Sequence, residues 1–174
     1  KNKPPRRVLD LGTGTGCLIV ALLHEWPEAQ GVAVDISPAA LAVAQENAHI
    51  NNVADRIRFI EGRWYGPVDG EFDLIVSNPP YIPNPDIESL AVEVRNHDPI
   101  LALSGGDDGL DAYKSIITEI KKHLITDGIC LLEIGYDQHE KVVRLVEDSG
   151  LSVRESHADL SGIPRVVESS LGEK

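Results

Sequence analysis

The sequence predicts an α/β fold: a mostly parallel, seven-stranded sheet with helices on both faces and an antiparallel last strand. Three observations predict it. Apolar runs of strand length alternate with helical stretches, a glycine-rich turn joins the first such pair, and two strand-like runs end the chain with only a loop between them. The near-continuous apolarity of the early strands fits parallel strands covered on both faces.

Arg7 to Leu11 is a short apolar run that breaks into Gly12-Thr13-Gly14-Thr15-Gly16, and Cys17 to Trp26 is apolar nearly all round before Pro27. This reads as buried strand, tight turn and buried helix. Gly31 to Ile36 is the second strand, and Ser37-Pro38 opens a helix to about Ile50, with serine as N-cap and proline at the first helical position. Arg56 to Ile60 and Phe72 to Val76 are two further strands, the latter closing on Asn78-Pro79-Pro80-Tyr81. The segment Ile82 to Gly109, rich in Pro, Asp and Gly, is long for a loop in a compact domain and reads as functional.

Tyr113, Ile116, Ile117, Ile120 and Leu124 recur at helical spacing, with Asp111 as cap and Asp127-Gly128 as stop. Ile129 to Ile134 is a buried strand, Val142, Val143 and Val146 mark a helix stopped by Gly150, and Leu151 to Ser156 and Arg165 to Leu171 are the terminal strands. The last is expected antiparallel, at or near an edge. No internal boundary divides residues 1–174, which read as one domain.

Composition narrows the function. The formal charge of −12 argues against holding duplex nucleic acid through phosphates, which needs clustered Lys and Arg. The longest apolar stretch, Cys17 to Leu23, falls far short of the roughly 20 residues that span a bilayer. Cys17 and Cys130 lie far apart in apolar neighbourhoods and are expected to be buried thiols of a reduced, cytoplasmic protein. The six histidines and two cysteines show no compact ligand spacing, so no metal is expected. The first residue is Lys1, and the chain reads as a fragment or a processed form.

In an open α/β sheet, ligands sit beyond the carboxyl ends of the strands where strand order reverses, and the first strand-to-helix turn is the usual place. Gly12, Gly14 and Gly16 lie there, with Thr13 between them. Glycines let backbone approach a ligand closely, and the helix start offers unpaired N–H groups. A dinucleotide pattern wants its third glycine where Cys17 stands, so the spacing leans away from NAD. Asp35 closes the second strand, where a carboxylate can accept from both ribose hydroxyls; capping of the next helix would also account for it. Asp10 can meet a cofactor's amino group or simply order the turn.

Asn78-Pro79-Pro80-Tyr81 carries the chemistry. Two prolines stiffen the backbone and present carbonyls without competing N–H donors, and Asn78 adds a side-chain acceptor. Together they can grip a planar –NH₂ group. An amide or aromatic amine is a poor nucleophile because its lone pair is delocalised, so holding both N–H bonds and aiming the nitrogen at an electrophilic methyl is catalysis. Tyr81 can pack on the flat group. No general base is obvious, and His97, in the long loop, reads as a solvated histidine.

The glycine turn, Asp35 and Asn78 to Tyr81 resemble a class I S-adenosylmethionine-dependent methyltransferase of Rossmann-like fold, and more narrowly the HemK/PrmC family of protein-(glutamine-N5) methyltransferases. The resemblance covers nearly the whole chain. It includes Glu93-Val94-Arg95, Asp98-Pro99, Ala102 to Gly106, Asp108-Gly109-Leu110, Glu133-Ile134-Gly135, Asp159 to Gly162 and Arg165-Val166-Val167. It implies methyl transfer from S-adenosylmethionine, leaving S-adenosylhomocysteine, to the glutamine amide of the Gly-Gly-Gln motif in peptide-chain release factors. Asp10, Gly12, Thr13, Gly14 and Gly16 would line the methionine end, with Asp35 and Ile36 at the ribose. Gly62, Arg63 and Trp64 would lie on the adenine side. Asn78 would border the cofactor and, with the Pro79 carbonyl, accept from the substrate amide, Pro80 and Tyr81 completing the substrate site.

Arg63 departs from the small polar or acidic residue many relatives carry, and Asp98 from their glutamate. Relatives also have a helical substrate-recognition domain ahead of Lys1, so the chain would be the catalytic domain. The expected partner is a release factor met by a monomer, with neither membrane nor direct nucleic-acid binding. The alternatives are glutamine in a ribosomal protein, the exocyclic amine of adenine in DNA or RNA, and, from another class, an NAD-dependent oxidoreductase.

Overall fold

A computed structural model describes residues 3–93 and 99–172. Val94 to Asp98, and with them Arg95, His97 and Asp98, lie outside the described residues. Among the described residues seven strands form one sheet: β1 (Arg7–Leu11), β2 (Gln30–Asp35), β3 (Ile57–Glu61), β4 (Phe72–Ser77), β5 (Leu124–Glu133), β6 (Leu151–Ala158) and β7 (Pro164–Leu171). Their order is β3-β2-β1-β4-β5-β7-β6. The first five are parallel, and β7 runs antiparallel to both β5 and β6. The last strand is therefore inserted one place from the edge, which β6 occupies.

The α-helices whose bounds lie within the described residues are α1 (Cys17–Glu25), α2 (Pro38–Ile50), the short α3 (Ile100–Leu103), α4 (Asp111–His123) and α5 (His139–Asp148). Ser37 caps α2 as its sequence requires, its Oγ accepting from the Ala40 N–H at 3.2 Å with Pro38 in the first turn. The sheet separates two apolar layers. On one face Val8, Ala33, Leu74 and Val76 meet Ile19, Val20 and Leu23 of α1 and Ala48 of α2. On the other, Leu9, Leu11, Ile75 and Leu132 meet Tyr113, Ile116 and Ile120 of α4 and Val142 and Val146 of α5.

Four expectations need correction. The helix after the long loop ends at His123, and Leu124 already pairs with Phe72 in β5. The next ladder pair is Leu74 with Ile129, so Asp127-Gly128 turns a bulge within the strand and does not stop the helix. Asp111 is the first helical residue, beneath Leu110 at the N-cap, and makes no side-chain cap. Cys17 is exposed, because it opens α1 on the side away from the sheet, while Cys130 is buried in β5 with its thiol pushed up to about 12 by burial.

The long segment carries structure of its own. A 3₁₀ turn spans Asn84–Ser89, and Ile82 forms a bridge with Ser104. Among the described residues no helix is long and apolar enough to cross a membrane.

Candidate active site

Strand order reverses between β1 and β4, and the predicted residues lie at the carboxyl ends of β1, β2, β3 and β4. The buried Ser77 hydroxyl joins them, donating to the Leu11 carbonyl at 2.7 Å. Beyond β1 the chain turns sharply, with Gly12, Gly14 and Gly16 at φ of 69°, 55° and 80°. The Gly12 and Thr13 N–H groups both donate to the Val34 carbonyl, pinning the turn to β2. Gly16 is needed for close approach: a Cβ there would lie 3.0 Å from the Ala44 Cβ. At Gly14 a Cβ would meet nothing within 4 Å, so the turn's crest faces open space that a ligand could fill.

Two carboxylates serve this turn. Asp10 is fully buried; its Oδ2 accepts from the Thr13 hydroxyl at 2.7 Å, while Oδ1 makes no hydrogen bond of full geometry. Burial raises its pKa to about 6, with a smaller push from Asp35, against the pull of the Thr13 hydroxyl. Asp35, half-buried, accepts from the Gly14 N–H at 2.8 Å and the Ser37 N–H at 2.9 Å. It thus braces the turn and the start of α2. Each oxygen keeps a second lone pair for a hydroxyl. Ile36 follows with its side chain 49% exposed.

Gly62 donates to the Asp35 carbonyl, which brings the β3 exit to the same rim. Trp64, at φ 48°, lays its ring over Gly12, 3.4 Å from where a Cβ would stand; its indole N–H is buried without a partner. Arg63 is exposed. Tyr65, beyond it, stacks on His123 with centroids 4.6 Å apart.

Asn78 is exposed immediately after β4, followed by buried Pro79 and half-buried Pro80 and Tyr81. Glu133 ends the neighbouring strand, one residue past the Leu132 that pairs with Ser77, and burial raises its pKa against the pull of Arg165. The Tyr81 carbonyl is held by Gln138, a buried residue outside the set that the sequence predicts. Its signal was present: Gln138, Val142 and Val146 share one helical face, and a polar residue heading a buried face calls for partners.

Among the described residues one trio of potential metal ligands lies together outside this rim, Glu155, His157 and Glu168, with ligand atoms within 4.8 Å. Cross-strand pairing of β6 with β7 assembles it, which linear spacing does not reveal.

Residues 1–94 match the family model for the methyltransferase small domain. The chain belongs to this family. Among relatives of this methyltransferase small-domain chain, the release factor glutamine methyltransferase of Cereibacter sphaeroides is 50% identical over 97% of the chain and 61% of that relative. That of Bradyrhizobium diazoefficiens is 46% identical over 92% of the chain and 54% of its own length. The bifunctional methyltransferase of Rickettsia felis is 41% identical over 96% of the chain and 32% of its own length. The chain thus spans about three fifths or less of these relatives. In fold it is similar to a ribosomal protein L11 methylase from Lactobacillus delbrueckii subsp. bulgaricus, with TM-score 0.74 and 24% identity over 98% of the chain and 72% of that structure. The family model and the relatives named above are methyltransferases, which does not favour the NAD-dependent oxidoreductase alternative.

Proposed function

We propose that this chain is a catalytic domain that transfers a methyl group from S-adenosylmethionine to the side-chain amide nitrogen of a protein glutamine, with the Gly-Gly-Gln motif of peptide-chain release factors as substrate. The observation that carries this reading is the placement of Asn78 to Tyr81 and the Gly12–Gly16 turn at the carboxyl ends of the adjacent strands β4 and β1, where strand order reverses, in a chain 50% identical to a release factor glutamine methyltransferase over 61% of that relative. The residues fit the cofactor. The crest at Gly14 is open, Asp35 retains lone pairs for ribose hydroxyls, and Ile36 and Trp64 offer apolar surface. Asp10 supplies an acceptor short of donors beneath the turn. When bound, S-adenosylmethionine supplies a methyl group on a positively charged sulfur, a leaving group that departs neutral.

The chain's own part is to hold and aim the amide. The Asn78 side-chain oxygen and the Pro79 carbonyl accept its two N–H bonds, and Tyr81 flanks its plane. As the nitrogen gains a fourth bond it becomes acidic. These two acceptors stabilise the developing positive charge. The proton then leaves to water or a neighbouring group, Glu133 being the carboxylate on the adjacent strand.

The same reading makes the chain part of a longer cytoplasmic protein that acts as a monomer, with a helical domain ahead of it that helps recognise the release factor. It binds neither membrane nor nucleic acid. Adenine is the weaker acceptor, because a base-flipping enzyme wants a basic groove and the chain carries −12. The test offers a release factor, a ribosomal protein fraction and unmodified DNA in parallel with labelled S-adenosylmethionine, locating the label by mass spectrometry. Label on the Gly-Gly-Gln glutamine is the expected result; label on a ribosomal glutamine or on adenine overturns the substrate.

A further inference from the structure

We propose that Gln138 is a positioning residue that locks the Asn78–Tyr81 segment in the shape that receives the substrate amide, an inference that rests on the function proposed above. Its side chain is 3% exposed, and its hydrogen-bonding capacity is fully spent. Nε2 donates to the Tyr81 carbonyl at 2.8 Å and to the Gly109 carbonyl at 3.2 Å. Oε1 accepts from the Gly135 N–H at 3.0 Å and, at 3.3 Å, shares the proton that the Tyr113 hydroxyl donates to the Glu133 carbonyl at 2.9 Å. One amide thereby joins β5's exit, α4, the end of the long segment and the residue that completes the Asn-Pro-Pro-Tyr run.

The surrounding backbone is built to admit it. A Cβ at Gly109 would stand 2.6 Å from Nε2 and 2.5 Å from the Tyr81 carbonyl, and one at Gly135 2.7 Å from Oε1. Two glycines vacate the space of one side chain. The tether then passes outward: Ile82 donates to Leu103, Gly105 to Ile82, and Asp111 to Gly105, each at 2.9 Å.

The consequence for the site follows from the prolines. Pro79 and Pro80 have fixed φ and no N–H, so neither residue can be anchored through its own donor. The remaining freedom is in ψ, which decides where the Pro79 carbonyl points. The Tyr81 carbonyl is the segment's first backbone anchor beyond the prolines, and Gln138 holds it. A misplacement of about 1 Å at a reacting group can cost on the order of a hundredfold in rate.

The test compares wild type with Gln138→Met, which keeps the side chain's length and removes all four bonds. The expected result is a 10- to 100-fold fall in kcat on the acceptor wild type uses. The Kd for S-adenosylmethionine should stay within twofold and the KM for protein substrate within threefold. Amide hydrogen exchange should rise at least tenfold at Ile82, Asn84 and Gly105 and stay unchanged at Val76 and Leu132. A kcat within twofold of wild type overturns the proposal even if exchange rises, since the tether would then be structural only. A fall in kcat without the local rise overturns it too, because the effect would not pass through the tether. If wild type methylates no acceptor, the proposed function fails and the exchange comparison alone decides the tether. Should Gln138→Met not fold, Tyr113→Phe keeps the ring and removes the 3.3 Å branch to Oε1 together with the 2.9 Å bond to the Glu133 carbonyl, so exchange at the amides beyond Tyr81 is read beside kcat. A two- to fivefold loss of kcat with faster exchange at the same three amides supports the proposal, and unchanged values overturn it.

Discussion

Asn78 and Asp10 stand at opposite extremes of burial, and their predicted effects differ accordingly. Asn78 is exposed at the sheet's edge, so Asn78→Ala should leave the fold and cofactor affinity nearly intact. Turnover should slow by on the order of a hundredfold or more, as when one polar group is removed from a preorganised site. Single-turnover kinetics beside calorimetric titration separates the two, and an unchanged rate removes Asn78 from the chemistry. Asp10 is fully buried with a pKa of about 6, above the 3.8 of a free aspartate. As pH rises from about 4 to 6 the unfolded chain releases this proton while the folded chain retains it, so this carboxyl's contribution to stability falls with rising pH. The loss totals on the order of 3 kcal/mol and levels off above pH 6. Asp10→Asn lacks this titration, so in cofactor-free protein its stability relative to wild type should climb by that amount between pH 4 and 7. Denaturant unfolding at both pH values measures the change, and a pH-independent difference would mean that Asp10 ionises in the folded protein as it does in water.

The elements were legible wherever a local physical signal decided them. Ser37-Pro38 marked α2's start because capping depends only on neighbouring residues, and Asn78 to Tyr81 marked the β4 edge because adjacent prolines cannot continue a ladder. The end of α4 was not legible, since Asp-Gly signals a turn equally well beyond a helix or inside a strand bulge, and only pairing with β4 tells them apart. For Gln138 a buried position was legible from its place at the head of the Val142–Val146 face, but its partners at residues 81, 109, 113 and 135 are brought together only by the sheet. Within the glycine turn the structure separates two positions that look alike in sequence. Both Gly14 and Gly16 have positive φ, so alanine at either costs about 1–2 kcal/mol in backbone strain. At Gly16 the new methyl also presses on Ala44, adding about 1–3 kcal/mol, whereas at Gly14 it enters open space. Gly16→Ala should therefore be the more destabilised in urea. Gly14→Ala should remain better folded yet bind S-adenosylmethionine at least tenfold more weakly, its methyl occupying the crest. Equal midpoints for the two variants would contradict the packing of Gly16 against α2.

Across the molecule, stability rests on the alternation of strands between two apolar layers. Along β1, Val8 faces one layer while Leu9 and Leu11 face the other; along β4, Leu74 and Val76 oppose Ile75 in the same way. Neither layer can be lost while the other keeps its strands. The terminal pair is bound into this unit too, because β7 sits between β5 and β6 and sends Val167 into the layer covered by α4 and α5. Fold class was readable from local alternation, but this insertion was not, since it is fixed by a long-range pairing of Cys130 to Glu133 with Val166 to Ser169. The described residues should accordingly unfold in one cooperative step, although the parallel half and the terminal hairpin differ in contact range. Scanning calorimetry should give one transition with calorimetric and van't Hoff enthalpies equal, and a heat-capacity increment of about 2.1–2.6 kcal/mol/K for a chain of this length. S-adenosylmethionine should raise that single midpoint, by RT ln(1 + [L]/Kd), without splitting it. Two resolved transitions, with only the lower responding to cofactor, would show that the β5–β7 pairing does not couple the hairpin to the glycine turn.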